Sequence, residues 1–170
     1  MGDGQISRKQ LKKRLQTIEL LSLDVDGVLT DGGLYYIDDG HQMRKFNVKD
    51  GMGIVQAMKA GLEICIISAS KADVVSKRAS DLGIKHVYPG SEDKLAKLSE
   101  RCAELSLDLK HVAHIGDDIN DLPVLKEVGL SLTVADAVDD VRGAVDFITS
   151  KEGGKGAVRE ICDLIVEVRR

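Results

Sequence analysis

The stretch LSLDVDGVLTDGG, residues 21–33, decides how the rest of the chain is read. An apolar run ends in two aspartates one residue apart, and glycines follow. Alternate side chains of an extended strand leave on the same side, so Asp24 and Asp26 point toward one region. Two carboxylates about 4 Å apart repel by roughly 4 kcal/mol at an effective dielectric of 20, so a positive partner is expected there.

Outward from this stretch the pattern alternates. Ser7 is placed to cap a first helix whose Leu11, Leu15 and Ile18 share a face, and ELLSLDV then reads as a buried strand. Residues 33–46 read as a protruding β-hairpin, with Asp39-Gly40 supplying the positive φ of a tight turn. A helix is predicted over residues 51–60, closed by Gly61, and the strand LEICIIS follows. The same rhythm predicts a helix over 71–82 stopped by Gly83, a strand at HVY, a helix over 93–105 and the strand HVAHIGD. After these come a helix over 120–128, the strand LSLTV, a short helix over 139–144, the strand DFIT and a last helix opening near Gly156. This is the order of an α/β, Rossmann-like parallel sheet with helices on both faces. Ligands of such sheets bind beyond the strand C-termini, where Asp24, Asp26, Ser68, Asp117 and Asp118 should meet.

Composition limits the alternatives. With 170 residues and 43% hydrophobic content the chain suffices for one packed core, and residues 1–170 read as one domain whose residues 1–18 form an N-terminal helical extension. A net charge of -4 gives no general attraction to nucleic acid or an anionic membrane, and Lys9, Lys12, Lys13 and Arg14 read as a solvated helix face. No apolar stretch has the length of a membrane span or a signal segment, so a cytoplasmic protein is expected. Cys65, Cys102 and Cys162 are widely spaced in apolar contexts and indicate neither a disulfide nor a zinc site. His41, His86, His111 and His114 show no mutual metal spacing.

A hard divalent cation with oxygen ligands suits Asp24, Asp26 and Asp117, and magnesium commonly uses carboxylates together with a substrate phosphate. Lys94, behind a helix start at Ser91-Glu92-Asp93, supplies an ammonium to the same pocket. Cation and ammonium together neutralise the oxygens of a transferring phosphoryl group, a carboxylate serves as nucleophile, and a second carboxyl shuttles protons. Asp24 is read as the nucleophile and Asp26 as the acid and base. Asn120, Asp118 and Asp121 are read as helix caps or as support behind the site.

DVDGVLTDGG, Ser68 closing CIIS, Lys94 in GSEDK and IGDDINDLP resemble the four ordered motifs of the haloacid dehalogenase superfamily. FNVKDGMGI, RASDLGIKHVYPG and GGKGAVREICDLI extend the similarity to its small capless branch, which dephosphorylates 2-keto-3-deoxy sugar acids. It runs from about Leu21 to Val166. The resemblance implies no cap domain and magnesium held by Asp24, Asp117 and the backbone carbonyl of Asp26. It also implies an aspartyl-phosphate on Asp24, and Ser68 and Lys94 holding the phosphoryl group. Asn47, Val48, Lys49, Asp50, Gly51 and Arg78 match positions that contact substrate, and the hairpin is implied as an element of a homotetramer. The implied substrate is an octulosonate 8-phosphate, with a nonulosonate 9-phosphate as the alternative. Val55 and Ser70 stand where the branch usually has arginines. Outside the enzymes, the alternatives are a phospho-accepting receiver domain and a non-catalytic tetramerisation module. The first strand carrying the Asp-x-Asp-Gly motif disfavours the receiver domain, and the costly charge cluster disfavours the module.

Overall fold

The computed structural model describes residues 5–38 and 40–170. The first helix, α1 (Arg8–Leu15), starts at a capping box in which Ser7 and Gln10 satisfy each other's backbone donors. It buries Leu11 and Leu15 completely, and Ile18 is buried in the turn that follows. Next comes β1 (Leu20–Leu23), all four residues of which are buried. An antiparallel pair, β2 (Tyr35–Tyr36) and β3 (Gln42–Met43), forms the expected hairpin. Gly40 has φ +85° at its tip, whereas Asp39 of the predicted turn lies outside the described residues.

Helix α2 (Val48–Lys59) begins three residues earlier than expected, because Asn47 caps it by accepting from the Lys49 N–H. Then follow β4 (Glu63–Ile67), α3 (Asp73–Leu82), β5 (His86–Tyr88), α4 (Lys94–Leu105), β6 (Val112–Ile115), α5 (Leu122–Glu127) and β7 (Leu130–Thr133). The chain ends with α6 (Asp139–Arg142), β8 (Phe147–Ile148) and α7 (Ala157–Val168). Gly83 closes α3 in the left-handed conformation at φ +78°. The predicted helix over 120–128 is a 3-10 turn, Ile119–Asp121, running into α5, because Pro123 suits only a first helical turn.

The main sheet has the order β5-β4-β1-β6-β7-β8, and its pairs are parallel. Both flanks start from the centre, so the order reverses between β1 and β6. Alternation along the strands divides the core. Leu21, Leu23, Ile64, Ile66, Ala113 and Ile115 pack toward α1, α2, α3 and α7, while Leu20, Cys65, Ile67 and Val112 pack toward α4 and α5. Helices therefore cover both faces, as expected. All three cysteines are buried and unpaired. Among the described residues, no helix is long and apolar enough to cross a membrane.

Candidate active site

Leu23 pairs with Ile66 on one side and Ile115 on the other, so three strands end level at the point where the sheet order reverses. Crevices at such points are where open α/β sheets bind ligands. Asp24, the first residue beyond β1, is 5% exposed, and its N–H donates to the Ile115 carbonyl. Lys94 opens α4 with its side chain 1% exposed and bridges two carboxylates. Its Nζ lies 2.9 Å from Asp24 Oδ1 and 2.6 Å from Asp121 Oδ1.

Asp117 stands beyond β6 and completes an acidic group. One carboxylate oxygen from each of Asp24, Asp117 and Asp121 lies within 4.8 Å of the others. Gly27, at φ +84°, makes room for it, since a Cβ there would fall 1.9 Å from Asp117 Oδ2. Asp117 Oδ1 is buried without a hydrogen-bond partner. Burial, followed by the charges of Asp24, Asp121 and Asp118, pushes the Asp117 carboxyl up to about 8. Burial and the Asp121 charge raise Asp24 to about 6, against the pull of Lys94. Asp121 goes the other way. Burial opposes its charge, but His114 and Lys94 outweigh that and bring it to about 2.

Asp121 is saturated. Its Oδ1 accepts from Lys94 and, at 3.1 Å, faces His114 Nε2, while its Oδ2 accepts from the Asp117 N–H. His114 is itself fully buried, with Nδ1 3.0 Å from Ser22 Oγ. Engaged on both oxygens, Asp121 holds Lys94 and the Asp117 backbone in place. The free donor capacity of the cluster rests on Asp24 and Asp117. Asp118, by contrast, is a helix cap, accepting from the Ile119 N–H.

Ser68 lies at the end of β4, 1% exposed, and its Oγ accepts from the Ser70 N–H at 3.1 Å. Asp26 is turned to a residue that sequence reasoning missed. Arg44, directly after β3, donates from Nε to Asp26 Oδ1 at 2.6 Å and from Nη2 to Asp26 Oδ2 at 3.3 Å. No periodicity or motif marks Arg44; only the return of the hairpin brings it onto Asp26.

The segment expected to contact substrate makes several contacts within the chain. Asp50 is 1% exposed, and its carboxylate accepts from the Gly156 and Arg159 N–H groups, tying α2 to the start of α7. Arg78 donates to the Asn47 carbonyl and lies over the Phe46 ring at 5.7 Å. Gly51 leaves room for it, a Cβ there falling 2.4 Å from Arg78 Nη2. The cavity bounded by Asn47, Asp50, Gly51 and Arg78 is about 10 Å³, smaller than a sugar by far. Asn47 is bonded to the Gly154 carbonyl, while Val48 and Lys49 are exposed on the outer turn of α2. A larger cavity, about 650 Å³, opens between the hairpin and the loop after β4 and is lined by Gln42, Ser70 and Lys71 among others.

Strand-end carboxylates, a buried lysine and a hydroxyl at one crevice define a class. A family model for haloacid dehalogenase-like hydrolases matches residues 68–161. The 3-deoxy-D-manno-octulosonate 8-phosphate phosphatase of Escherichia coli K12 is 43% identical over 163 residues, which cover 96% of this chain and 86% of that one. The phosphatase of that name from Moraxella catarrhalis, solved with a magnesium ion, a phosphate ion and KDO, superposes with a TM-score of 0.92. It is 36% identical, with 95% of this chain and 93% of that one covered. The cobalt-bound deoxy-D-mannose-octulosonate 8-phosphate phosphatase of Haemophilus influenzae gives 0.88 at 38% identity, covering 92% and 91%. The chain belongs to the haloacid dehalogenase-like hydrolases, in the family of these octulosonate 8-phosphate phosphatases.

Proposed function

We propose that the protein is a magnesium-dependent phosphatase that hydrolyses a phosphorylated 2-keto-3-deoxy sugar acid, foremost 3-deoxy-D-manno-octulosonate 8-phosphate. One observation carries the reading: a buried carboxylate, Asp24, and a half-buried one, Asp117, meet beside a buried lysine, and one Asp117 oxygen is buried without a partner. That orphaned oxygen and the raised Asp117 carboxyl fit a hard cation, which would supply positive charge between Asp24 and Asp117. Asp24, Asp117 and the Asp26 carbonyl would hold it. When bound, magnesium neutralises charge on the phosphoryl oxygens.

The remaining steps belong to this chain. Asp24 forms an Oδ–P bond as the ester P–O bond breaks, and the Asp26 carboxyl gives its proton to the departing alkoxide. Water then attacks phosphorus, returning a proton to Asp26, and the Asp24–phosphorus bond breaks to release phosphate. Lys94 and Ser68 steady the phosphoryl oxygens throughout. The cavity beside Gln42, Ser70 and Lys71 is the place with room for the sugar. Asp50 holds α2 against the start of α7, and Arg78 holds the turn at Asn47. We further propose a cytoplasmic homotetramer assembled through the hairpin, where Leu34, Tyr35, Tyr36, Ile37 and Met43 are exposed.

The test is a panel of phosphorylated sugar acids, including a nine-carbon 9-phosphate, ranked by kcat/KM with magnesium. The octulosonate ester should lead, and Asp24→Asn should lower turnover by more than about 1,000-fold with the fold intact. Absence of phosphate release from every ester, or turnover retained in Asp24→Asn, would overturn the reading.

A further inference from the structure

The proton carrier of the reaction is 34% exposed at its side chain, yet its partner Arg44 is only 2% exposed. A nearly buried guanidinium beneath a largely exposed hairpin requires a reason. Arg44 grips both Asp26 oxygens, and its planar fork matches a carboxylate in a way that an ammonium cannot. Its Nη2 also donates to Ser70 Oγ at 2.8 Å, and its Nη1 to Gln42 Oε1 at 3.1 Å. Ser70 in turn donates its N–H to Ser68 Oγ. Four hydrogen bonds therefore fix the guanidinium, and it joins three separate segments: the loop after β1, the return of the hairpin and the loop after β4.

We propose that Arg44 is a positioning residue for Asp26, setting the aim of the carboxyl at the leaving oxygen and coupling that aim to the seating of the hairpin. This rests on the phosphatase reading above. Arg44 engages one lone pair on each Asp26 oxygen, which leaves another on each for the proton that Asp26 carries. During the first step this proton moves to the ester oxygen as the P–O bond breaks; Arg44 exchanges none. With its side chain 2% exposed and four of its five N–H donors engaged by protein, it acts through Asp26 and does not contact the substrate.

A merely structural role and a positioning role separate by leaving group. A sugar phosphate expels an alkoxide that needs a proton, whereas p-nitrophenyl phosphate expels an anion stable without one. In Arg44→Ala and Arg44→Lys, the pre-steady-state release of the first product is measured for both esters with magnesium. The rate ratio, sugar ester over aryl ester, should fall by about 10- to 100-fold in Arg44→Ala, in kcat more than in KM, with partial recovery in Arg44→Lys. An equal loss on both esters, or no loss on either, would overturn the proposal. Thermal melting identifies a variant that fails to fold, in which case Arg44→Gln takes the place of the alanine. If the wild-type enzyme hydrolyses no alkyl phosphate, the phosphatase reading fails. A wild type that works, with variants of unaltered ratio, removes only the role of Arg44.

Discussion

Asp117 and Asp121 stand four residues apart and are pushed in opposite directions, because burial and three neighbouring carboxylates raise the first, while a histidine and a lysine outweigh burial at the second. In the metal-free protein Asp24 and Asp117 bind protons more tightly when folded than when unfolded. Their contribution to stability is therefore complete below the ordinary aspartate range and is lost as pH rises through about 6 and about 8. Metal-free protein should melt at progressively lower temperature between pH 5 and pH 8. Added magnesium should restore the melting temperature, most strongly at the alkaline end, where no proton has to be displaced. Calorimetry with and without a chelator checks this; a metal-free melting temperature that rises over the window contradicts it. Asp24, Ser68, Lys94 and Asp117 were legible in the sequence because each follows or opens an element whose period is plain, and Asp26 because it stands two positions beyond Asp24 in the Asp-x-Asp pattern. Arg44 was not, since its place depends on a tertiary return of the hairpin, and neither was His114, which looks like any polar residue in a strand.

Helix α7 owes its start to a residue over 100 positions away. Its N-cap, Gly156, has no side chain, and Asp50 supplies the missing acceptor across the packed pair α2 and α7. Asp50→Ala should leave two half-buried donors without their acceptor and cost about 1–2 kcal/mol, read as a lower denaturant midpoint with little change in slope. An undiminished midpoint would mean that the two N–H groups find other acceptors. The sequence placed most elements within a few residues, because apolar periodicity and the terminal residues Ser7, Gly61, Gly83 and Asp93 agreed. It missed the early start of α2, where a capping asparagine outweighs the two glycines inside the helix, Gly51 and Gly53. Those glycines are required by close neighbours: a Cβ on Gly53 would fall 2.8 Å from the Arg159 side chain. Family likeness implies a substrate-facing role for Asn47 to Gly51; in the structure the Asn47 amide donates to the Gly154 carbonyl, and the Asp50 carboxylate accepts from the Gly156 and Arg159 N–H groups.

The hairpin projects apolar side chains that the chain itself does not cover; Tyr36 is 68% exposed and Met43 51%. If it is the seat of assembly, Tyr36→Asp should shift the protein toward monomer in sedimentation velocity and, through Arg44, lower turnover of the sugar ester. A species of unaltered mass would place the contact elsewhere. The order of the main sheet has its own consequence. Asp24 and Asp117 extend from β1 and β6, the two innermost strands, while the short β5 and β8 form the margins. Opening of either margin leaves the inner pair hydrogen-bonded, so the reacting groups should remain in register through partial opening that frays the periphery. Deuterium uptake should be slowest at the amides of Leu21 to Leu23 and Ala113 to Ile115, exchanging only with loss of the entire fold. The chemistry is thereby mounted on the last part of the protein to come undone.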